Sequence, residues 1–155
     1  MNEDKIQKFY LLASLQANLF SKDPSKKVCA LFIAPESLQI LSTGYNGLPR
    51  KLNETNERWS KPLKYNYVVH AEKNGIYNAC RNGVSLNGSI CIVTFFPCNE
   101  CSKSLIQVGI DTLISPKPDF NHPKYGESFK YSIEMLSEIG INIYYIEPKL
   151  VNNFI

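Results

Sequence analysis

The stretch VVHAEKNGIY, residues 68–77, sets His70 two positions before Glu72, and FFPCNEC further on places Cys98 and Cys101 directly behind Pro97. One imidazole and two thiolates fill three of the four positions around tetrahedral zinc. Pro97 stands where a helix starts, so Cys98 and Cys101 share its first turn and one face. The free N–H groups and dipole of that turn favour negative charge and lower a thiol toward thiolate, the form that binds metal. His70 likewise stands at the start of a helical pattern. Between His70 and Cys98 lies about one helix, a turn and a strand, the length of a crossover that returns to the same sheet edge. The two helix starts can then face one another.

Other cysteines are poor candidates for a fourth ligand. Cys80 is ten residues along the helix from His70, roughly 15 Å at 1.5 Å per residue. Cys91 lies about a strand's length from Cys98, and Cys29 stays open on sequence alone. If no fourth protein ligand exists, that position belongs to water and the site is catalytic, with one zinc per chain. Metal lowers the pKa of such a water toward 7. Glu72 follows His70 closely enough to reach the same face, where its natural work is to carry a proton from water to substrate. A lone His-x-Glu is a weak signal, and Cys-x-x-Cys alone fits a redox pair or a structural zinc knot. The proline before Cys98 and the matched His-Ala-Glu upstream are unexplained by redox chemistry, and only three good ligands are visible for a closed structural site.

The elements that must position these residues follow from periodicity. DKIQKFYLLASLQANLFS carries Ile6, Phe9, Ala13, Ala17 and Phe20 at helical spacing and predicts a first helix with that face buried. KVCALFIA and LQILSTGYN, separated by PES, predict a strand hairpin. From Asn46 to Tyr65 the pattern is polar and aperiodic, a long loop of the kind that is usually functional. A helix from Ala71 closes at Gly83; SICIVTF is a buried strand; CNECSKSLIQV is a helix closed by Gly109; DTLIS is a strand. The last helix presents Phe129, Ile133, Leu136 and Ile139 on one face and ends at Gly140, before a final strand INIYYI. Helices alternating with buried strands predict a single three-layer α/β/α domain over residues 1–155 with a mixed five-stranded sheet.

Composition bounds the function. The chain has 155 residues, 44% of them hydrophobic and 20% charged, as in a globular domain with a real core. No apolar run approaches the roughly 20 residues of a membrane span, and the charged start MNEDKIQKFY does not fit a signal peptide, so a cytoplasmic protein is expected, with no membrane partner. Five cysteines, an odd number, do not read as a disulfide framework. Cys29, Cys80 and Cys91 sit in apolar runs and read as small buried hydrophobes. A net charge of +3 does not call for a nucleic-acid surface. Eight Lys or Arg against four Asp or Glu between Lys22 and Lys64 read either as a solvated surface or as a site for a phosphate-bearing small molecule. Arg50, Lys51, Arg58, Lys61 and Lys64 are the candidates to read that phosphate, with Lys124 or Lys130 sharing the task.

His-x-Glu followed by Pro-Cys-x-x-Cys resembles the signature of the zinc-dependent nucleobase deaminases. Over nearly its whole length the chain resembles the deoxycytidylate (dCMP) deaminases, in SKDPSKKV, GYNGLPR, HAEKN, FFPCNECSKSLIQVGI and the last helix-strand pair. The resemblance implies a cytidine deaminase-like fold and hydrolysis of dCMP to dUMP and ammonia, upstream of thymidylate synthesis. It assigns zinc to His70, Cys98 and Cys101, proton transfer to Glu72 (including delivery to the ring nitrogen and leaving amine), the sugar to Asn46 and the pyrimidine edge to the backbone around Ala71. It also implies a homo-oligomer, commonly a hexamer, activated by dCTP and inhibited by dTTP. Ser21, Lys22, Asp23, Gly44, Tyr45 and Gly47 lie in the stretches that match the effector site. The chain departs from related sequences at Cys29, where glycine is common, at Gly75, where alanine is usual, and in a shorter ERWSKPLKYNYVV segment. It shows no His/Cys set for a second, structural zinc. A deaminase of tRNA adenosine, free purine or another cytosine nucleotide shares the zinc motif, and a non-catalytic zinc module is the third reading.

Overall fold

The computed structural model describes residues 1–147. The elements run α1 (Glu3–Phe20), β1 (Cys29–Ile33), β2 (Ile40–Tyr45), α2 (Asn56–Trp59), α3 (Ala71–Arg81), β3 (Ile90–Val93), α4 (Asn99–Gln107), β4 (Thr112–Ser115), α5 (Gly126–Glu138) and β5 (Asn142–Tyr145), with a short 3-10 turn over Leu63–Asn66. The sheet order is β2-β1-β3-β4-β5. β1 is antiparallel to both β2 and β3, and the β3–β4 and β4–β5 pairs are parallel. This is the expected mixed five-stranded sheet in an α/β/α domain. Among the described residues no helix is long and apolar enough to cross a membrane.

The period of two along β1 divides the core. Cys29, Leu31 and Ile33 pack with Tyr10, Ala13 and Ala17 of α1 on one face. Ala30 and Phe32 join Ala71 and Ala79 of α3, Leu105 of α4, and Phe129 and Leu136 of α5 on the other. α1 therefore forms one layer and α3, α4 and α5 the opposite one. Each fully buried Leu, Ile or Phe contributes about 1.5–3 kcal/mol relative to exposure. Gly109 (φ +76°) and Gly140 (φ +79°) turn the chain from α4 and α5 back into β4 and β5.

The structure departs from the sequence reading in four places. Phe20 is 56% exposed and stacks on Tyr45 at the end of α1, while Tyr10 is buried in the stripe. Ile139 caps α5 in solvent at 53% exposure, and Ser132 is buried on the inner face. Cys80 is exposed, unlike Cys29 and Cys91, which are fully buried. The polar segment expected to be a loop contains α2, capped by Thr55, whose side chain accepts from the Arg58 N–H.

Edge strand β2 is covered by α3. Asn78 and Asn74 donate from Nδ2 to the carbonyls of Thr43 (2.6 Å) and Tyr45 (2.8 Å), and Ser42 Oγ donates to the Gly75 carbonyl at 2.7 Å. A two-way bridge between Gly47 and Val69 (2.8 and 3.1 Å) then aligns the chain just before His70.

Candidate active site and metal centre

His70 is the N-cap of α3 and Cys98 the N-cap of α4. Neither side chain caps its own helix, which leaves both free to ligate. Cys101 sits three residues into the same turn as Cys98 and is fully buried. The three side chains converge: Cys98 Sγ is 3.5 Å and Cys101 Sγ 3.3 Å from His70 Nδ1, and all three atoms lie within 4.8 Å of one another. Sulfur and nitrogen on one tetrahedral zinc stand about 3.6 Å apart, given bonds of about 2.3 and 2.1 Å. The donor set and its spacing fit zinc, and no other such cluster occurs among the described residues.

Electrostatics within the cluster favour the ligating forms. A hydrogen bond from Cys101 pulls the Cys98 thiol down to about 4, with the cost of burial opposing and His70 reinforcing the pull. Donating to Cys98 and burial push Cys101 up, so the pair holds a thiolate beside a thiol, and a metal would displace the second proton. His70 is raised, first by its hydrogen bond with Cys98 and against the cost of burial.

Glu72, in the first turn of α3, is 4% exposed. Burial raises its carboxyl above the ordinary range, opposed by the charge of His70. It lines a cavity of about 640 Å³ with His70, Ala71 and Cys98, a volume in the range of small-molecule sites.

The remaining sequence candidates divide. Asn46 lines the cavity, yet every hydrogen-bonding position of its carboxamide is occupied from within the chain. Oδ1 accepts from Ser21 Oγ (2.8 Å) and the Val28 N–H (2.9 Å), while Nδ2 donates to Asp23 (3.1 Å) and the Lys26 carbonyl (2.9 Å). Asp23 in turn holds Lys64, whose Nζ lies 2.6 and 2.8 Å from its two oxygens in a buried ion pair. Of the six candidate effector residues, Lys22 is on the surface, paired with Glu54 at 2.5 Å, and Tyr45 is exposed. Ser21 and Asp23 belong to the buried Asn46 network, Gly44 lies beneath α3, and Gly47 forms the bridge to Val69. Cys29 points into the α1 layer toward Gln16 and Thr43, away from the metal set.

Among the five basic candidates, Lys61 and Lys64 line the cavity. Arg50 bonds Asn78, and the Arg58 guanidinium sits 5.2 Å from the Tyr67 ring centroid. Lys124 also lines the cavity, as does Lys26. Sequence reading missed Lys26, Phe95, His122 and Tyr125, which meet there from three separate segments. The one available signal was that His122 is the only histidine besides His70.

An α/β/α sheet presenting a His/Cys/Cys set and a buried carboxylate at two helix starts defines a zinc-binding hydrolytic domain. The family model for the cytidine and deoxycytidylate deaminase zinc-binding region matches residues 3–116, and the chain belongs to that family. It is 37% identical over 146 residues to a probable deoxycytidylate deaminase of Drosophila melanogaster, covering 86% of this chain and 68% of the relative. It is also 37% identical over 126 residues to the human deoxycytidylate deaminase, covering 77% of this chain and 66% of that protein. In fold it is similar to the dCMP deaminase of cyanophage S-TIM5, crystallised with dCMP and dUMP. That match has a TM-score of 0.76 at 23% identity and covers 94% of this chain and 99% of the other.

Proposed function

We propose that the protein hydrolyses dCMP to dUMP and ammonia: water adds at the ring carbon bearing the amino group, and that carbon–nitrogen bond breaks. The observation that carries this reading is a buried carboxylate, Glu72, beside the His70/Cys98/Cys101 set in a cavity whose wall carries Lys26, Lys61, Lys64 and Lys124 against Asp23 and Glu72. Zinc held by the three ligands supplies Lewis-acid activation of a water near neutral pH. Glu72 takes a proton from the attacking water and delivers protons to the ring nitrogen and the leaving amine; its raised proton affinity suits that shuttle. The backbone around Ala71 is to meet the pyrimidine edge and Asn46 the sugar, where its carboxamide must give up one of its four internal hydrogen bonds to pair with a hydroxyl.

The charge balance of the cavity favours a phosphorylated substrate. Lys64 is neutralised by Asp23, while Lys26, Lys61 and Lys124 have no carboxylate partner among the described residues. A charge-assisted hydrogen bond to phosphate is worth roughly 1.5–3 kcal/mol, about 10- to 150-fold in affinity. The reading extends to a cytoplasmic homo-oligomer regulated by dCTP and dTTP through the stretches that hold Ser21, Lys22, Asp23, Gly44, Tyr45 and Gly47, of which Lys22 and Tyr45 present exposed side chains.

Purified protein incubated in parallel with dCMP, deoxycytidine, adenosine and an adenosine-bearing tRNA anticodon stem, with ammonia measured, tests the reading. Release from dCMP well above the others is expected. Preferential release from an adenosine substrate would place the chain among the purine deaminases.

A further inference from the structure

The turn before α5 contains a side chain fixed more tightly than a loop requires. His122 Nδ1 accepts a bifurcated pair of hydrogen bonds from the backbone N–H groups of Lys124 (3.2 Å) and Tyr125 (3.1 Å). The His122 carbonyl accepts from the Gly126 N–H at 2.8 Å. The ring packs edge-on against Phe95, with centroids 6.0 Å apart, and tilts against Tyr125 at 5.1 Å. An Nδ1 that accepts carries no proton, so the proton lies on Nε2. That N–H has no protein partner among the described residues, and the half-buried ring lines the cavity.

Its neighbours indicate what it meets. His122 shares its turn with Lys124, whose ammonium sits 3.1 Å from the ring centroid of Tyr65, another residue of the cavity wall. Lys26, 4.6 Å from the Phe95 ring centroid, approaches the same ring that His122 touches. The reacting end of a substrate is set by His70 and Glu72, so an oriented donor amid unneutralised lysines suits an anionic group. We infer that His122 is a specificity-determining residue that donates its Nε2–H to the substrate phosphate beside Lys124. This rests on the reading of the substrate as a nucleoside monophosphate.

Two variants separate this role from a purely structural one. In His122→Asn the side-chain oxygen can still accept from the two backbone N–H groups, but the distal donor is gone. His122→Gln keeps a distal N–H and gives up the near acceptor. H122N is expected to melt close to the wild type while KM for dCMP rises about tenfold or more. The loss in kcat/KM should be at least ten times larger for dCMP than for deoxycytidine. H122Q, although less stable, should recover most of the preference for dCMP, and this second variant decides the matter if H122N does not fold. Equal penalties on the two substrates, or an H122Q that behaves like H122N, would overturn the inference. So would a dCMP-preferring wild type whose H122N variant keeps its KM. A wild type that prefers neither substrate overturns the monophosphate reading and this inference with it.

Discussion

Gly44 of β2 and Gly75 of α3 lie in backbone contact: a methyl group on Gly44 would sit 2.1 Å from the Gly75 nitrogen and 2.4 Å from the Ala71 carbonyl oxygen. A methyl on Gly75 would meet the Phe32 ring at 2.4 Å. This close approach sets the height of α3 over the sheet, and α3 carries His70 and Glu72 at its start. Gly44→Ala must push backbone from backbone, so it should lower stability, zinc content and turnover together. Gly75→Ala displaces only the Phe32 ring, at about 1–3 kcal/mol, with zinc largely retained. Thermal melts with zinc analysis check both; a G44A protein that melts and binds zinc like the wild type would show that α3 is positioned otherwise.

Asp23 should make the cavity wall sensitive to acid. Burial raises its carboxyl, but hydrogen bonds from Lys64 and from the Ser25 and Lys26 N–H groups outweigh it, and the net position is below the ordinary value. A depressed folded-state value means that the ionised group stabilises the fold above its unfolded pKa of about 3.9 and loses that contribution as pH falls further. Stability should therefore decline below about pH 4, and Asp23→Asn should flatten that decline. Asp23→Ala leaves the Lys64 ammonium buried without its partner, costing about 3–5 kcal/mol, or roughly 6–20 °C in Tm. An Asp23→Ala melt within two or three degrees (about 1 kcal/mol) of the wild type would contradict this.

Cys98→Ala and Cys101→Ala should each lose zinc and activity together, since each removes one of three converging ligands. Cys29→Ser should keep zinc, because Cys29 faces Gln16 and Thr43 in the other layer. Metal analysis of the purified variants decides; full occupancy in C98A or C101A would remove that cysteine from the site.

Self-association should be visible in solution. Leu12, Leu15 and Leu19 of α1 are 42%, 41% and 75% exposed, with Phe20 beside them. A run of exposed apolar side chains along one helix is ordinarily covered by a partner. Light scattering should give a mass above the 17.6 kDa of one chain at micromolar concentration, and Leu19→Lys should shift it downward. A clean monomer would contradict the proposed homo-oligomer.

The metal set was legible in the sequence because its determinants are local. A proline fixes a helix start, and residues three apart share a face, so His70, Cys98 and Cys101 follow from spacing. The strands were legible for the same reason. Contacts between distant segments were not. Nothing in the spacing of Asp23 and Lys64, 41 residues apart, announces their ion pair, and nothing in GYNG announces the four partners that hold the Asn46 carboxamide. Phe20 and Ile139 continue a helical stripe in sequence but fall at the ends of α1 and α5, where both side chains are exposed.

The most direct measurement is turnover of dCMP by zinc-loaded Glu72→Gln beside the wild type, with metal content measured on the same samples. The amide keeps the shape of the side chain and removes the group that accepts and returns the proton. Equal zinc content with kcat lower by on the order of 10²–10⁴-fold is predicted. Turnover within a few-fold of the wild type at equal zinc would show that another group moves the proton and that Glu72 is not the catalytic carboxylate.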